Sequence, residues 1–297
     1  ELEQLYWYFK KYEGYIDKRL IKQEYPCSPQ EAFLLSGDNV FDTEKLLARL
    51  TKIPKPIKVG YFIYDYDGLK ISNIKWVNDR NGYINIYQVP NVPRMTKYCI
   101  GGDTAGEGSD YFTAHVLDAR TGQQVATLKQ QFDADQYVKQ MYCLGMYFKY
   151  ALIGIEANFD SFPIMELQRL GYDNQYVRLA QDTYTGRTEK RFGFKTTALT
   201  RPTIISRLVE IVRDHTEMIN DKDTLEELLT IIRNEKGRTE APEGGHDDQM
   251  MGLAIAHHIR EQVTFDREEI VVNPQYHFNI EKKEDTHYDY GEQMTII

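Results

Sequence analysis

The rhythm of apolar and polar positions divides the chain into four regions. Near the start, Leu2, Leu5, Tyr6, Tyr8 and Phe9 recur at roughly helical spacing. The run Tyr25-Pro26-Cys27-Ser28-Pro29-Gln30-Glu31-Ala32-Phe33 then reads as a turn into a short helix, and Ile53-Pro54-Lys55-Pro56 as a linker. From Val59 to Val89, β-branched and aromatic residues alternate with polar ones around Asp67-Gly68 and Asn81-Gly82, which predicts β-hairpins. Beyond about residue 263 charged and Tyr-rich stretches such as Glu281-Lys282-Lys283-Glu284-Asp285 predict a partly ordered tail.

The third region, about 97–262, can be followed element by element. Strands are predicted over 98–102, 111–117 and 124–128, with a turn at Arg120-Thr121-Gly122, so three consecutive strands run antiparallel. Asp133 is placed to cap a helix over 134–150, with Val138, Met141, Tyr142 and Met146 on one stripe. A buried strand over 151–155, a helix over 162–170 ended by Gly171 and a short strand over 176–179 follow. Thr200 is read as the cap of a helix with Pro202 in its first turn. Further helices are predicted over 224–233 and 247–260, the last presenting Met250, Met251, Leu253, Ala254 and Ala256, with Met250-Met251 read as core. Three antiparallel strands followed by parallel strands with crossover helices is the pattern of an α/β ribonuclease H-like mixed sheet with flanking helices. The expected organisation is a helical N-terminal linker over 1–56, a domain over 57–262 that includes the added β-hairpin region, and a tail over 263–297.

Composition narrows the class. At 297 residues, 41% hydrophobic and 12% aromatic, the chain can bury a substantial core, while its apolar runs fall short of a membrane span. Cys27, Cys99 and Cys143 are odd in number and lack metal spacing, and no signal-peptide pattern opens the sequence, so a reducing cytoplasm is expected. Glu1 at the start suggests a piece of a longer polypeptide. A net charge of −9 disfavours a general nucleic-acid coat protein. Between Arg178 and Arg213, however, eight basic residues outnumber Asp182, Glu189 and Glu210, with Tyr184, Phe192 and Phe194 interleaved. A hairpin over 176–197 with Thr185-Gly186 at its tip would carry Arg187, Lys190, Arg191 and Lys195 as candidate phosphate contacts; a solvated hairpin with ordinary surface charge is the plain alternative.

The chemistry lies in acids at element ends. Ile100-Gly101-Gly102-Asp103 ends the first strand of this region, Ile153-Gly154-Ile155-Glu156 ends the fourth, and Gly245-His246-Asp247-Asp248 opens the last helix. In the expected sheet the first and fourth strands are neighbours, so Asp103, Glu156 and the Asp247/Asp248 pair converge on one edge. Carboxylates brought together raise one another's pKa unless a cation lies between them, and a hard ion such as Mg²⁺ or Mn²⁺ suits such oxygen ligands. Two ions about 3.5–4 Å apart in such a site activate water for in-line attack on a phosphodiester. Each residue also has a structural reading: Asp103-Thr104-Ala105-Gly106 as an Asx-type turn, Asp247-Asp248 as a helix cap. His246 and Asn158 are candidate supports behind the ligands, Asp110 and Asp160 candidate orienters of water or surface residues, and His257-His258 is expected to be structural or exposed.

The runs 23–33, 98–108, 153–158 and 245–250, in this order and spacing, resemble the C-terminal nuclease domain of a tailed-bacteriophage terminase large subunit, a DNA-packaging motor protein. The resemblance implies a metal-dependent endonuclease that cleaves double-stranded viral DNA concatemers, with Asp103, Glu156 and one or both of Asp247 and Asp248 on the metals. It also implies portal and small-terminase partners and the cytoplasm of an infected or lysogenic bacterial host. The family's ATPase half would lie upstream, since no Gly-x-x-x-x-Gly-Lys-Ser/Thr loop occurs in the sequence. A Holliday-junction resolvase or transposase-like nuclease shares the fold and the acids. An actin-like ATPase or sugar kinase is echoed by Asp103-Thr104-Ala105-Gly106 but lacks its second phosphate loop. A non-catalytic DNA clamp would keep the acids as structural residues.

Overall fold

The computed structural model describes residues 2–15, 21, 24–25, 39–90, 97–104, 111–131, 133–158, 160–181, 187–234, 236–242 and 244–263. The Pro-punctuated run at 26–33, the hairpin tip at Thr185-Gly186, Asp110, Cys27 and the tail beyond Val263 lie outside the described residues.

Helices α1 (Leu2–Gly14) and α2 (Thr43–Leu50) precede the hairpin region. Helix α1 buries none of its residues, whereas α2 is capped by the Asp42 side chain on Lys45 N and buries Leu46. Strands β1 (Lys58–Tyr66), β2 (Ile71–Asn78) and β3 (Ile84–Ile86) turn where the Gly signals stand; Gly68 takes a φ of +93° and Asp67 accepts from Leu69 N and Lys70 N. These strands do not form a separate unit. They continue the main sheet, whose order is β2-β1-β3-β6-β5-β4-β7, with β4 (Tyr98–Asp103), β5 (Phe112–Asp118), β6 (Gln124–Gln130) and β7 (Leu152–Ile155). All pairings are antiparallel except β4 with β7, which is parallel with Gly102 opposite Ile155.

The sheet is covered on both faces. Helix α3 (Ala134–Tyr147) lies on one face, where Tyr137, Val138, Met141, Leu144 and Phe148 join the larger core. Helix α4 (Phe162–Arg169) packs beside α3. The other face carries α5 (Thr200–Asp214), α6 (Lys222–Thr230) and α7 (Asp248–Ile259), with Met250, Met251, Leu253, Ile255 and Ile259 in a second core. Helix α7 is buried almost all round, as its near-continuous apolar sequence requires. No helix of the described residues is long and apolar enough to cross a membrane. Cys99 and Cys143 are buried free thiols.

Five expectations are corrected. Helix α3 stops at Tyr147 rather than residue 150, because Lys149 and Tyr150 adopt positive φ values of 59° and 58°. Asn174 Nδ2 bonds the Tyr150 carbonyl at 2.7 Å, and the amides of Asp173 and Asn174 donate to its hydroxyl. Asp133 occupies the N-cap position of α3 without a side-chain cap bond, and Thr200 lies inside α5, with its hydroxyl accepting from Thr197 N. The helix expected over 224–233 begins at Lys222, capped by Asp221, and ends at Thr230; Ile232–Arg233 instead forms β10, paired with β11 (Thr239–Glu240). Finally, β8 (Val177–Gln181) does not continue the main sheet as a parallel strand; it pairs with β9 (Thr188–Phe192) in the hairpin expected over 176–197, whose ends meet the β7 segment through parallel bridges of Ile153 with Gln175 and Glu156 with Phe194.

Candidate metal and phosphodiester site

Two glycines prepare the site. Alternate residues of a strand share a face. Gly101 and Asp103 therefore face together, as do Gly154 and Glu156. A Cβ on Gly101 would lie 2.1 Å from Ala256 N, and one on Gly154 would lie 2.9 Å from Ile259 Cγ2, so both glycines are on the α7 side and let that helix approach the sheet. Gly102 faces the opposite way, where a Cβ would lie 2.2 Å from the Tyr137 hydroxyl. The acids two residues past Gly101 and Gly154 thus face the start of α7. Glu156 N donates to Gly102 O at 3.0 Å, which sets Glu156 beside Asp103 in the next strand.

The third acid arrives on α7. Residues 248, 252 and 256 repeat every four positions, and Gly252 and Ala256 are the backbone that Gly101 meets, so Asp248 lies on the sheet-facing stripe. Its carbonyl accepts from Thr113 Oγ1 at 2.8 Å and its Oδ2 from Tyr111 N at 2.9 Å. Asp103, Glu156 and Asp248 are 6%, 5% and 8% exposed. Asp247 takes a different position: just before the helix, it is ion-paired with Arg201 Nη2 at 2.5 Å, both side chains 31% exposed.

The electrostatics follow from this crowding. Burial first, then a hydrogen bond with the Glu156 carboxyl, then the charges of Glu156, Asp248 and Asp247, push the Asp103 carboxyl well above its ordinary range. Two carboxyl groups bond in this way only when a proton lies between them, and a cation is the other species that can take that place. Asp103, Glu156 and Asp248 offer hard oxygen donors from three elements, which suits Mg²⁺ or Mn²⁺. Among the described residues, however, no three His, Cys, Asp or Glu side chains are already closed into a ligand cluster. Tyr111 N holds one Asp248 oxygen, and Arg201 holds Asp247.

The supporting candidates fall close by. His246 Nδ1 is 3.8 Å from Asp248 Oδ2, and its ring meets Tyr111 edge-on. Asn158 exchanges two bonds with the Thr196 backbone, fixing the chain just past Glu156 to the base of the β8–β9 hairpin. Asp160 accepts from Phe162 N and is a turn residue at the start of α4. Arg187, Lys190, Arg191 and Lys195 are all exposed on or next to β9, and Arg191 lies 3.3 Å from Glu189. His257 is 1% exposed, and His258 meets the Tyr176 hydroxyl at 3.3 Å; both are structural.

Glu227 escaped the sequence reading. From the middle of α6 it accepts Met250 N at 2.7 Å, capping α7 from a distance, and burial pushes its carboxyl up to about 8. Nothing in its local sequence separates it from neighbouring Glu226, which faces Lys222.

A mixed sheet of this order, flanked by helices on both faces, defines a ribonuclease H-like fold. One solved structure supports this fold, and two others are similar to a lesser degree. The large terminase nuclease from thermophilic phage G20c with bound magnesium superposes with a TM-score of 0.50 at 19% identity, over 74% of this chain and 97% of that one. A second structure of the G20c nuclease gives 0.49 at 20% identity over 74% and 98%, and the Thermus phage P74-26 large terminase nuclease domain 0.46 at 21% over 71% and 93%. No protein-family model matches the sequence, and no curated protein matches it.

Proposed function

We propose that the chain is a divalent-metal-dependent DNA endonuclease, the nuclease part of a phage terminase large subunit, cleaving double-stranded viral concatemers during genome packaging. What supports this reading is the placement of three buried carboxyls toward the α7 side of the sheet: Asp103 at the end of β4, Glu156 just past β7 and Asp248 in the first turn of α7. The magnesium-bound G20c nuclease of the same fold supports the choice of ion, and the two-ion arrangement is the one suited to in-line cleavage of a phosphodiester.

Asp103, Glu156 and Asp248 would hold Mg²⁺ or Mn²⁺, two ions in all. When bound, these supply a water nucleophile at neutral pH and stabilise the leaving oxygen. Asp103, its carboxyl pushed up by burial and then by its acidic neighbours, would have to lose its proton to hold a cation. Thr113 and Glu227 hold the first turn of α7, and so the height of Asp248, through bonds to the Asp248 carbonyl and Met250 N. Asp247 is the weaker ligand candidate, because Arg201 already neutralises it. His246 stands behind Asp248, and Asn158 steadies the exit from Glu156. Arg187, Lys190, Arg191 and Lys195 would grip DNA phosphates without reading sequence. Portal and small-terminase partners, and the cytoplasm of the bacterial host, belong to the same reading.

Supercoiled plasmid tests it. Nicking and linearisation should require Mg²⁺ or Mn²⁺, stop with a chelator, and vanish in Asp103→Asn, Glu156→Gln and Asp248→Asn, with Asp247→Asn retaining more activity than Asp248→Asn. A purified, folded wild type that leaves plasmid intact with both metals contradicts the proposal, as does an Asp103→Asn variant that cuts normally.

A further inference from the structure

Glu156, Asp103, Thr113 and Lys129 form one transverse row across the sheet. Glu156 stands beside Asp103 through its bond to Gly102 O, Asp103 is opposite Thr113, and Thr113 is opposite Lys129. Residues directly opposite one another share a face. The bond from Thr113 Oγ1 to the Asp248 carbonyl identifies that face as the α7 side. Two strand spacings, about 10 Å, therefore separate the backbones of Asp103 and Lys129.

The Lys129 side chain reaches toward the acids. Its Nζ lies 4.9 Å from the centre of the Tyr111 ring, and Tyr111 N holds Asp248 Oδ2, so one aromatic residue separates the ammonium from the acid site. Its acidic neighbour is Asp223 Oδ2 at 3.7 Å, with the two side chains 30% and 58% exposed. That distance is too long for a hydrogen bond, and such exposed pairs contribute little, so a stronger anion can replace it. Beside this lies a cavity of about 120 Å³ lined by Tyr83, Asn85, Thr127, Lys129, Asp223 and Gln249 among others. Asp221, which also lines it, already accepts from the hydroxyls of Tyr87, Thr127 and Thr224.

The β8–β9 hairpin joins the molecule on the far side, through the bridge between Glu156 and Phe194. The acid centre is thus flanked by the hairpin cations beyond β7 and by Lys129 on β6. From this placement we infer that Lys129 binds a backbone phosphate of the DNA strand on the side of the centre away from the hairpin, exchanging Asp223 for the phosphate. The inference rests on the nuclease reading and adds a second flank to the DNA path.

The test uses the full chain with a short duplex in Ca²⁺, binding being followed by fluorescence anisotropy from 50 to 200 mM salt, alongside steady-state plasmid cleavage in Mg²⁺. Lys129→Met should weaken binding, reduce the slope of log affinity against log salt by about 1, and raise KM more than it lowers kcat; Lys129→Arg should restore all three. An unchanged affinity and salt slope in a folded Lys129→Met chain would overturn the inference while leaving the nuclease reading intact. So would a Lys129→Arg variant as impaired as Lys129→Met, since that marks a packing role against Tyr111. A wild type that neither binds nor cuts DNA removes both.

Discussion

Replacing Gly101 by Ala puts the link between packing and chemistry to its sharpest test. A Cβ at this position would lie 2.1 Å from Ala256 N, 2.5 Å from Ala256 Cα and 2.5 Å from Gly252 O, all of it helix backbone that cannot rotate away. Ordinary contact needs about 3.5 Å, so α7 must retreat by roughly 1 Å or β4 must bulge. Overpacking of this kind costs about 1–3 kcal/mol, which for a domain of this size lowers Tm by roughly 2–12 °C. The functional loss should be larger than the stability loss implies. Asp248 travels with α7 while Asp103 stays with β4, and a misplacement of about 1 Å can cost on the order of 100-fold in rate. Gly145→Ala is the control: its Cβ would lie 2.3 Å from the Tyr172 hydroxyl, under the far end of α3, so it should destabilise without touching the acids. Calorimetry and plasmid cleavage, run well below both melting temperatures, separate the two effects. A Gly101→Ala protein with wild-type cleavage, or a Gly145→Ala protein equally inactive, would refute the argument.

Three further outcomes follow from the same geometry. Asp103→Asn removes a carboxyl whose charged form burial and then its acidic neighbours disfavour, so the metal-free protein should melt at or above the wild-type temperature while losing its Mn²⁺-induced rise in Tm; a metal response equal to wild type would contradict this. Burial holds His115 and His257 at about 4 and about 3, below their ordinary value, so each contributes stability that is present above about pH 6.5 and lost as pH falls, roughly 2 kcal/mol each between pH 7 and pH 5. Because Asp103 and Glu227 have raised values and act in the opposite direction, the check is the urea-unfolding difference between wild type and His257→Leu, which should move toward the variant by about that amount over this interval and not stay constant. Reversing Arg187 and Lys190 to Glu should weaken duplex binding and flatten its salt dependence without moving Tm by more than about 1 °C; unchanged binding would remove the hairpin from the DNA path.

How much of this was legible in the sequence depended on how local the signal was. Asp103 and Glu156 could be found because each follows a buried strand, and the adjacency of β4 and β7 follows from the βαβ order. The sequence left Asp247 and Asp248 open; in the structure Asp248, four residues from Gly252 and eight from Ala256, shares the stripe of α7 that meets Gly101. What stayed hidden arises from contacts distant in sequence. Glu227 matters because α6 passes the start of α7, and Lys129 because of a register through two strand pairings. The end of α3 was missed because Phe148-Lys149-Tyr150 contains neither Gly nor Pro; residues from 173 and 174 hold its left-handed turn. The hairpin expected over 176–197 is present as β8 paired with β9; only the added expectation that its first strand continues the main sheet fails.

Asp103, Glu156 and Asp248 are proposed to grip metal ions together. Anomalous diffraction from crystals grown with Mn²⁺ and a short DNA duplex tests it most directly. Two peaks bounded by those three carboxylates, with Asp247 still on Arg201, are predicted; manganese bound elsewhere, with no peak at the three acids, would contradict the proposal.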